Sequence, residues 1–160
     1  MEKLLKRVYN SPKISASLKI ISHASVILCA ISYVAMLLHF YFAEPMAAVR
    51  LMLAGGVPFV LVSIVRIIIN APRPYELYGF YKVLPKEKRG RSFPSRHVFS
   101  AFLIAGFAYT VSIWLSLALF VVGVCLAVSR VFLGMHFIRD VVAGALIGIL
   151  SAVLGIIILF

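Results

Sequence analysis

Four long apolar runs constrain the fold of this chain more than any other feature. They cover residues 19–42, 46–69, 98–128 and 137–160, and each is long enough to supply the roughly 20 residues that a helix needs to cross a bilayer. Hydrophobic residues make up 63% of the chain, well above their share in soluble domains. We therefore predict an all-α fold, a multi-pass transmembrane helical bundle that forms one membrane domain over residues 1–160.

The third run raises a question of topology. It holds 31 residues without a charge. A single helix of that length would measure about 46 Å, against a hydrocarbon core of about 30 Å. One strongly tilted helix or two short helices joined near residues 112–114 would both fit, and periodicity alone does not decide between them.

The remaining segments are polar or basic. Residues 1–18 mix basic and apolar side chains, which is typical of an interfacial helix on the membrane surface. Residues 71–97 form a long polar loop. Sixteen Lys and Arg against five Asp and Glu give a net charge of +11. Because the cations flank the apolar runs, they predict the lipid bilayer and a phosphorylated membrane lipid as partners, and no nucleic acid. An oligomeric state is not predicted.

Three polar clusters interrupt the apolar sequence. The first places Arg66 seven residues before Arg73, the second is the PSRH segment at residues 94–97, and the third is SRVFLGMHFIRD at residues 129–140. An ionised side chain inside a bilayer costs at least a few kcal/mol unless something compensates it. Singly, an arginine at a helix end can extend to the headgroups and a serine can cap a helix. Together, the three clusters predict a functional site.

The clusters contain groups that bind phosphate. A helix that begins at Ser95 and Arg96 offers free backbone N–H groups and the positive end of the helix dipole. Arg66, Arg73 and Arg130 add planar guanidinium groups that can donate two parallel hydrogen bonds to phosphate oxygens. We predict that these residues bind a phosphoryl group.

The third cluster also contains a potential nucleophile. His136 and Asp140 are four residues apart, so we expect their side chains to share a face of one helix. The carboxylate would accept from one imidazole nitrogen and leave the other free to attack phosphorus, while His97 would protonate the leaving oxygen. The acidic residues are too dispersed in the sequence to suggest paired carboxylates for Mg²⁺. We therefore predict no metal and no cofactor.

The three clusters, in this order, resemble the signature of the type 2 phosphatidic acid phosphatase superfamily, which is K-x6-RP, PSGH and SR-x5-H-x3-D. The resemblance covers residues 66–140 and implies a helical membrane phosphatase that works without metal. It implies that His136 forms a phosphohistidine held by Asp140, and that His97 is the acid and then activates water. It also implies that the phosphoryl group is held by Arg66, Arg73, Ser95 and Arg130.

Two positions depart from the family pattern. Arg66 stands where the family has Lys, which keeps the charge but changes its reach and geometry. Arg96 replaces the Gly of PSGH and places a bulky cation beside the site. We expect this second change to favour a more anionic or differently shaped headgroup.

The catalytic interpretation also bears on topology. If His97 and His136 meet at one phosphate, an even number of crossings separates them, so the third run must fold as two spans joined near Trp114. The prediction is then about five spans plus an N-terminal surface helix, in the plasma membrane. The basic N-terminal segment would share the face of the site, and its charges favour the cytoplasm. The family resemblance implies an outward-facing site, so both faces stay open here.

The predicted function is that of a metal-independent lipid phosphate phosphatase. Its substrate would be phosphatidic acid, phosphatidylglycerol phosphate, or a polyprenyl phosphate or diphosphate. One alternative is a phosphotransferase that passes the phosphoryl group from the same phosphohistidine to an alcohol. Another is a non-catalytic membrane protein whose arginines bind lipid headgroups for binding or transport.

Overall fold

The fold consists of helices in a computed structural model that describes residues 1–80 and 89–159. The basic second half of the predicted polar loop, residues 81–88, lies outside this described part. In chain order the helices are α1 (Glu2–Tyr9), α2 (Pro12–Ala43), α3 (Pro45–Ile69), α4 (Pro74–Leu77), α5 (Arg96–Ala108), α6 (Ile113–Phe132) and α7 (Ile138–Leu159).

Five of these helices form the membrane bundle, as predicted. Helices α2, α3, α6 and α7 are long and apolar enough to cross a bilayer, and α5 is a shorter apolar helix of 13 residues. Helix α5 occupies the centre, because most of its side chains are buried and it packs against both α6 and α7. The outer helices carry large apolar side chains on their exposed faces, as lipid-facing helices do.

The long third run divides into two helices, which confirms the predicted division of this run. Helix α5 ends at Ala108, and α6 begins at Ile113 after a turn whose last residue, Ser112, occupies the N-cap position. The turn precedes the predicted join at Trp114 by a few residues. Tyr109 and Trp114 are exposed beside it, which suits aromatic rings at a membrane interface.

Small residues allow α7 to approach α5 closely. A Cβ atom at Gly144 would lie 2.6 Å from the Ser95 carbonyl oxygen, and one at Gly148 would lie 2.5 Å from the Phe99 carbonyl oxygen. Gly155 is packed against Ala54 and the Phe107 ring. These glycines therefore permit close packing of α7 against its neighbours.

Helix α1 packs against the bundle at the end where α6 finishes. Leu5 is fully buried and contacts Gly134, while the Tyr9 hydroxyl donates a 2.7 Å hydrogen bond to the Leu133 carbonyl. Helix α2 begins at Pro12, so the second part of the predicted surface segment is continuous with the first span. These contacts place the N-terminus at the same end of the bundle as the third polar cluster.

Gly144→Ala should lower the free energy of unfolding by about 1–3 kcal/mol, because the added methyl group meets a backbone carbonyl that has little freedom to move. Gly56→Ala is the matched control, since a Cβ there meets nothing within 4 Å. Thermal unfolding of both variants in the same detergent measures the difference. Equal unfolding temperatures would show that the contact between α5 and α7 tolerates the added methyl group.

Candidate active site

The second polar cluster forms the start of the central helix. Ser95 occupies the N-cap position of α5 with an extended backbone, and its N–H donates to the Asp140 carbonyl at 2.9 Å. The Ser95 side chain does not cap the helix. Its Oγ is fully buried and has no hydrogen-bond partner within residues 1–80 and 89–159. A buried hydroxyl without a partner is uncommon and costly, which marks this turn as a place that can receive a ligand.

The third cluster lies on a turn between α6 and α7. Gly134 has φ of +68°, which favours glycine, and it brings the backbone N–H of Met135 to the Arg130 carbonyl at 3.0 Å. His136 is part of this turn and is buried. Asp140 lies in the first turn of α7, where its Oδ2 accepts a 2.9 Å hydrogen bond from the Phe137 N–H. The turn thus places the His136 imidazole at the end of the bundle.

The expectation that His136 and Asp140 lie on one helix is wrong. His136 precedes α7, and its Nδ1 is 3.8 Å from Oδ2 of Asp140. The Ser92 hydroxyl connects the two: it donates to Oδ2 of Asp140 at 2.5 Å and lies 3.4 Å from Nδ1 of His136. Because the Ser92 hydroxyl donates its hydrogen bond to the Asp140 carboxylate, Ser92 Oγ can accept a hydrogen bond from Nδ1–H of His136. This arrangement leaves Nε2 of the neutral ring unprotonated.

Burial also controls the protonation of His136. Removal from water is the main cause that lowers the pKa of this imidazole to about 4, although the nearby Asp140 carboxylate acts in the opposite direction. Positive charges on Arg73 and Arg66 contribute to this lowered pKa. The ring is therefore neutral near pH 7 and can serve as a nucleophile.

One cavity brings together residues from all parts of the site. It has a volume of about 300 Å³, and His97 and His136 both line it. Arg73 and Arg130 contribute guanidinium groups to its wall. Apolar and aromatic residues of α2 and the turn complete the lining: His23, Val26, Ile27 and Met135. The cavity is large enough for a phosphoryl group and presents cations and imidazoles to it.

The arginines are held in place by backbone and sulfur acceptors. Arg73 Nε donates to the Gly90 carbonyl at 3.0 Å, and Arg130 Nη1 donates to Sδ of Met135 at 3.2 Å. Arg66 donates a 2.5 Å hydrogen bond to the Pro94 carbonyl. Arg66 is thus bound to the turn that starts α5, and it is not among the residues that line the cavity. Arg73, Arg66 and Arg130 are all buried.

Arg96 also lies apart from the cavity. Its guanidinium group is 5.2 Å from the centroid of the Phe59 ring, and its Nη1 is 3.5 Å from Ser63 Oγ on α3. Of the predicted site residues, the structure therefore gathers His97, His136, Arg73 and Arg130 at the cavity wall. Asp140 and Ser95 lie directly behind the cavity wall, where a backbone hydrogen bond joins them. Arg66 and Arg96 contact other neighbours.

Sequence reasoning missed two residues that organise the site. Ser92 is fully buried between His136 and Asp140, and Glu76 accepts a 2.7 Å hydrogen bond from the Gly90 N–H beside Arg73. Serine in a polar loop carries no signal of such a role. The one available indication for Ser92 was its position two residues before the Pro94 that opens the PSRH segment.

Comparison with known proteins agrees with this architecture. The crystal structure of Aquifex aeolicus LpxE superposes with a TM-score of 0.70 at 23% identity, covering 96% of this chain and 93% of that one. The crystal structure of a Bacillus subtilis transmembrane PAP2 type phosphatidylglycerolphosphate phosphatase gives a TM-score of 0.67 at 22% identity, covering 96% of this chain and 81% of that one. At these identities the likeness concerns the fold.

The family follows from the sequence itself. A search of curated proteins gives no match. The family model described as the PAP2 superfamily matches residues 47–160, which is more than half of the chain and includes all three polar clusters. The chain is therefore an integral membrane protein that belongs to the PAP2 superfamily, the type 2 phosphatidic acid phosphatases.

Proposed function

We propose that the chain is a metal-independent lipid phosphate phosphatase formed by a single membrane domain. One observation carries the proposal: two imidazoles, His97 and His136, and two guanidinium groups, Arg73 and Arg130, line the same small cavity. Phosphoryl transfer needs an oriented nucleophile, a proton donor and stabilisation of the developing charge on the phosphoryl oxygens. These four residues supply all three requirements, and membership in the PAP2 superfamily supports the same reaction class.

The first step forms a covalent intermediate. Nε2 of His136 attacks the phosphorus, and the bond between phosphorus and the lipid oxygen breaks. His97, which enters this step in its protonated form, donates its proton to that oxygen, so the lipid leaves as an alcohol or, from a diphosphate, as a monophosphate. Asp140, acting through Ser92, stabilises the positive charge that His136 acquires. Arg73 and Arg130 neutralise the equatorial oxygens.

The second step releases inorganic phosphate. His97 is now neutral and accepts a proton from a water molecule, which attacks the phosphorus opposite Nε2 of His136. The bond between nitrogen and phosphorus breaks, and both histidines return to their initial states. The same residue acts as acid and then as base, as microscopic reversibility requires.

A lipid substrate agrees with the location of the cavity. It lies at the end of the bundle where α5 and α7 begin, next to the lipid-facing helix α2, so a hydrocarbon tail can stay in the bilayer during the reaction. One structural neighbour is named a phosphatidylglycerolphosphate phosphatase. We propose phosphatidic acid, phosphatidylglycerol phosphate and polyprenyl phosphates or diphosphates as the substrate range. Residues 71–97, of which 81–88 lie outside the described part, serve as the loop of the site.

His136→Ala should reduce phosphate release at least about a thousandfold, because the nucleophile is lost and nothing adjacent replaces it. Release of inorganic phosphate from a panel of lipid phosphates, by purified protein in detergent with EDTA, measures this. His39→Ala is the matched control, since His39 is exposed on the opposite end of α2. Full activity of the His136→Ala variant would contradict the proposal.

Ser92→Ala should reduce kcat about tenfold to a hundredfold while leaving KM nearly unchanged. The variant removes the hydroxyl between His136 and Asp140 but leaves the cavity wall intact, and a hydrogen bond to a charged group contributes on this scale. Steady-state kinetics on a detergent-solubilised lipid phosphate give both constants. A rise in KM with unchanged kcat would assign Ser92 to substrate binding instead.

The imidazole of His136 should stay neutral down to about pH 5, because burial lowers its pKa to about 4 and a base with a lowered pKa gains its proton only in stronger acid. Nitrogen NMR of protein labelled at histidine, assigned by comparison with His136→Gln, follows the protonation. A titration midpoint near 6.5, the value of an exposed histidine, would contradict this account of the nucleophile.

A further inference from the structure

Arg96 stands at the mouth of an apolar groove outside the phosphate cavity. The groove runs between α2, α3 and α5 in two connected parts of about 200 Å³ and 440 Å³, which share Ala30, Phe59, Ser100 and Ile104 in their walls. Its walls are mostly apolar, and Arg96 and His97 line the part closest to the site. The Arg96 side chain is exposed, and its guanidinium rests on the Phe59 ring.

His97 connects the cavity to the groove. It lines the phosphate cavity together with His136, and it lines the groove together with Arg96; Val26 of α2 is also shared by both spaces. A substrate whose phosphoryl group occupies the cavity must extend past His97, because His97 protonates the oxygen that joins this group to the rest of the lipid. On this path, the next group of the lipid would enter the part of the groove that Arg96 lines.

We propose that Arg96 binds a second phosphate and makes lipid diphosphates the preferred substrate class, an inference that rests on the proposed function. The terminal phosphate of a lipid diphosphate would lie in the cavity, the inner phosphate at the Arg96 guanidinium, and the hydrocarbon chain in the groove. A monophosphate places an uncharged carbon at the same point, which leaves the guanidinium without an anion. Charge complementarity therefore favours the diphosphate.

A lipid diphosphate reacts by the same two steps and requires no reagent other than water. Nε2 of His136 bonds to the terminal phosphorus, and the bond from that phosphorus to the bridging oxygen breaks. The bridging oxygen stays on the inner phosphate and takes the proton of His97. Water then releases inorganic phosphate from His136. Arg96 also neutralises part of the negative charge that the leaving lipid monophosphate acquires, which makes it a better leaving group.

The test compares two substrates with the same prenyl chain, one a diphosphate and one a monophosphate. Purified full-length protein in detergent is assayed for phosphate release as wild type, Arg96→Gln and Arg96→Lys. The ratio of kcat/KM for the diphosphate to kcat/KM for the monophosphate should fall about tenfold or more in Arg96→Gln and less in Arg96→Lys. Arg50→Gln is the matched control, because Arg50 lies at the far end of α3 beside Glu44.

The outcomes separate this inference from the proposed function. A ratio that is the same in wild type and Arg96→Gln overturns the role of Arg96, whether both substrates lose activity equally or neither does, and leaves the phosphatase assignment standing. An equal fall of the ratio in Arg50→Gln would also overturn it, because the effect would then reflect overall charge. Wild-type protein that releases phosphate from neither prenyl lipid also overturns the inference, and the proposed function itself is refuted only if phosphatidic acid and phosphatidylglycerol phosphate are not hydrolysed either.

Discussion

The contact between the first turns of α5 and α7 is the constraint on which the rest of the site depends. The Ser95 N–H is bonded to the Asp140 carbonyl, and Gly144 lets the two backbones approach to a distance that no side chain would permit. Through this contact, the PSRH turn is bonded to the first turn of α7, which directly follows the turn that carries His136. Because α5 and α7 are held together along their buried faces, the separation of His97 and His136 is set by helix packing.

Charge is the second constraint on the site. Within the described residues, three arginines and one carboxylate make up the buried ionised side chains: Arg66, Arg73, Arg130 and Asp140. An excess of buried positive charge is unfavourable unless an anion compensates it. A phosphoryl group in the cavity would provide that compensation, so we expect substrate binding and the stability of this region to be coupled. The arrangement suits a reaction whose transition state carries negative charge on oxygen.

The sequence was sufficient for much of this account, and its failures have physical causes. Apolar runs predicted the spans because the thickness of the bilayer fixes the length of a spanning helix. The turn that divides the third run was predicted from the requirement that His97 and His136 meet, since periodicity alone did not decide it. The prediction that His136 and Asp140 share one helix was wrong because a spacing of four residues places two side chains on one face only if both residues are helical, and His136 precedes α7. Gly134 instead makes a turn there. Ser92 escaped notice because its role arises from a contact across 48 residues of sequence.

The central claim is that His136 becomes covalently phosphorylated in a cavity it shares with His97. The most direct measurement mixes the protein with a ³²P-labelled lipid phosphate and quenches the reaction rapidly without acid. Mass spectrometry of the peptides then follows, under alkaline conditions that preserve phosphohistidine. The account predicts a transient phosphoryl group on His136 that forms before inorganic phosphate is released. A labelled residue other than His136, or turnover with no labelled protein at any time point, would contradict it.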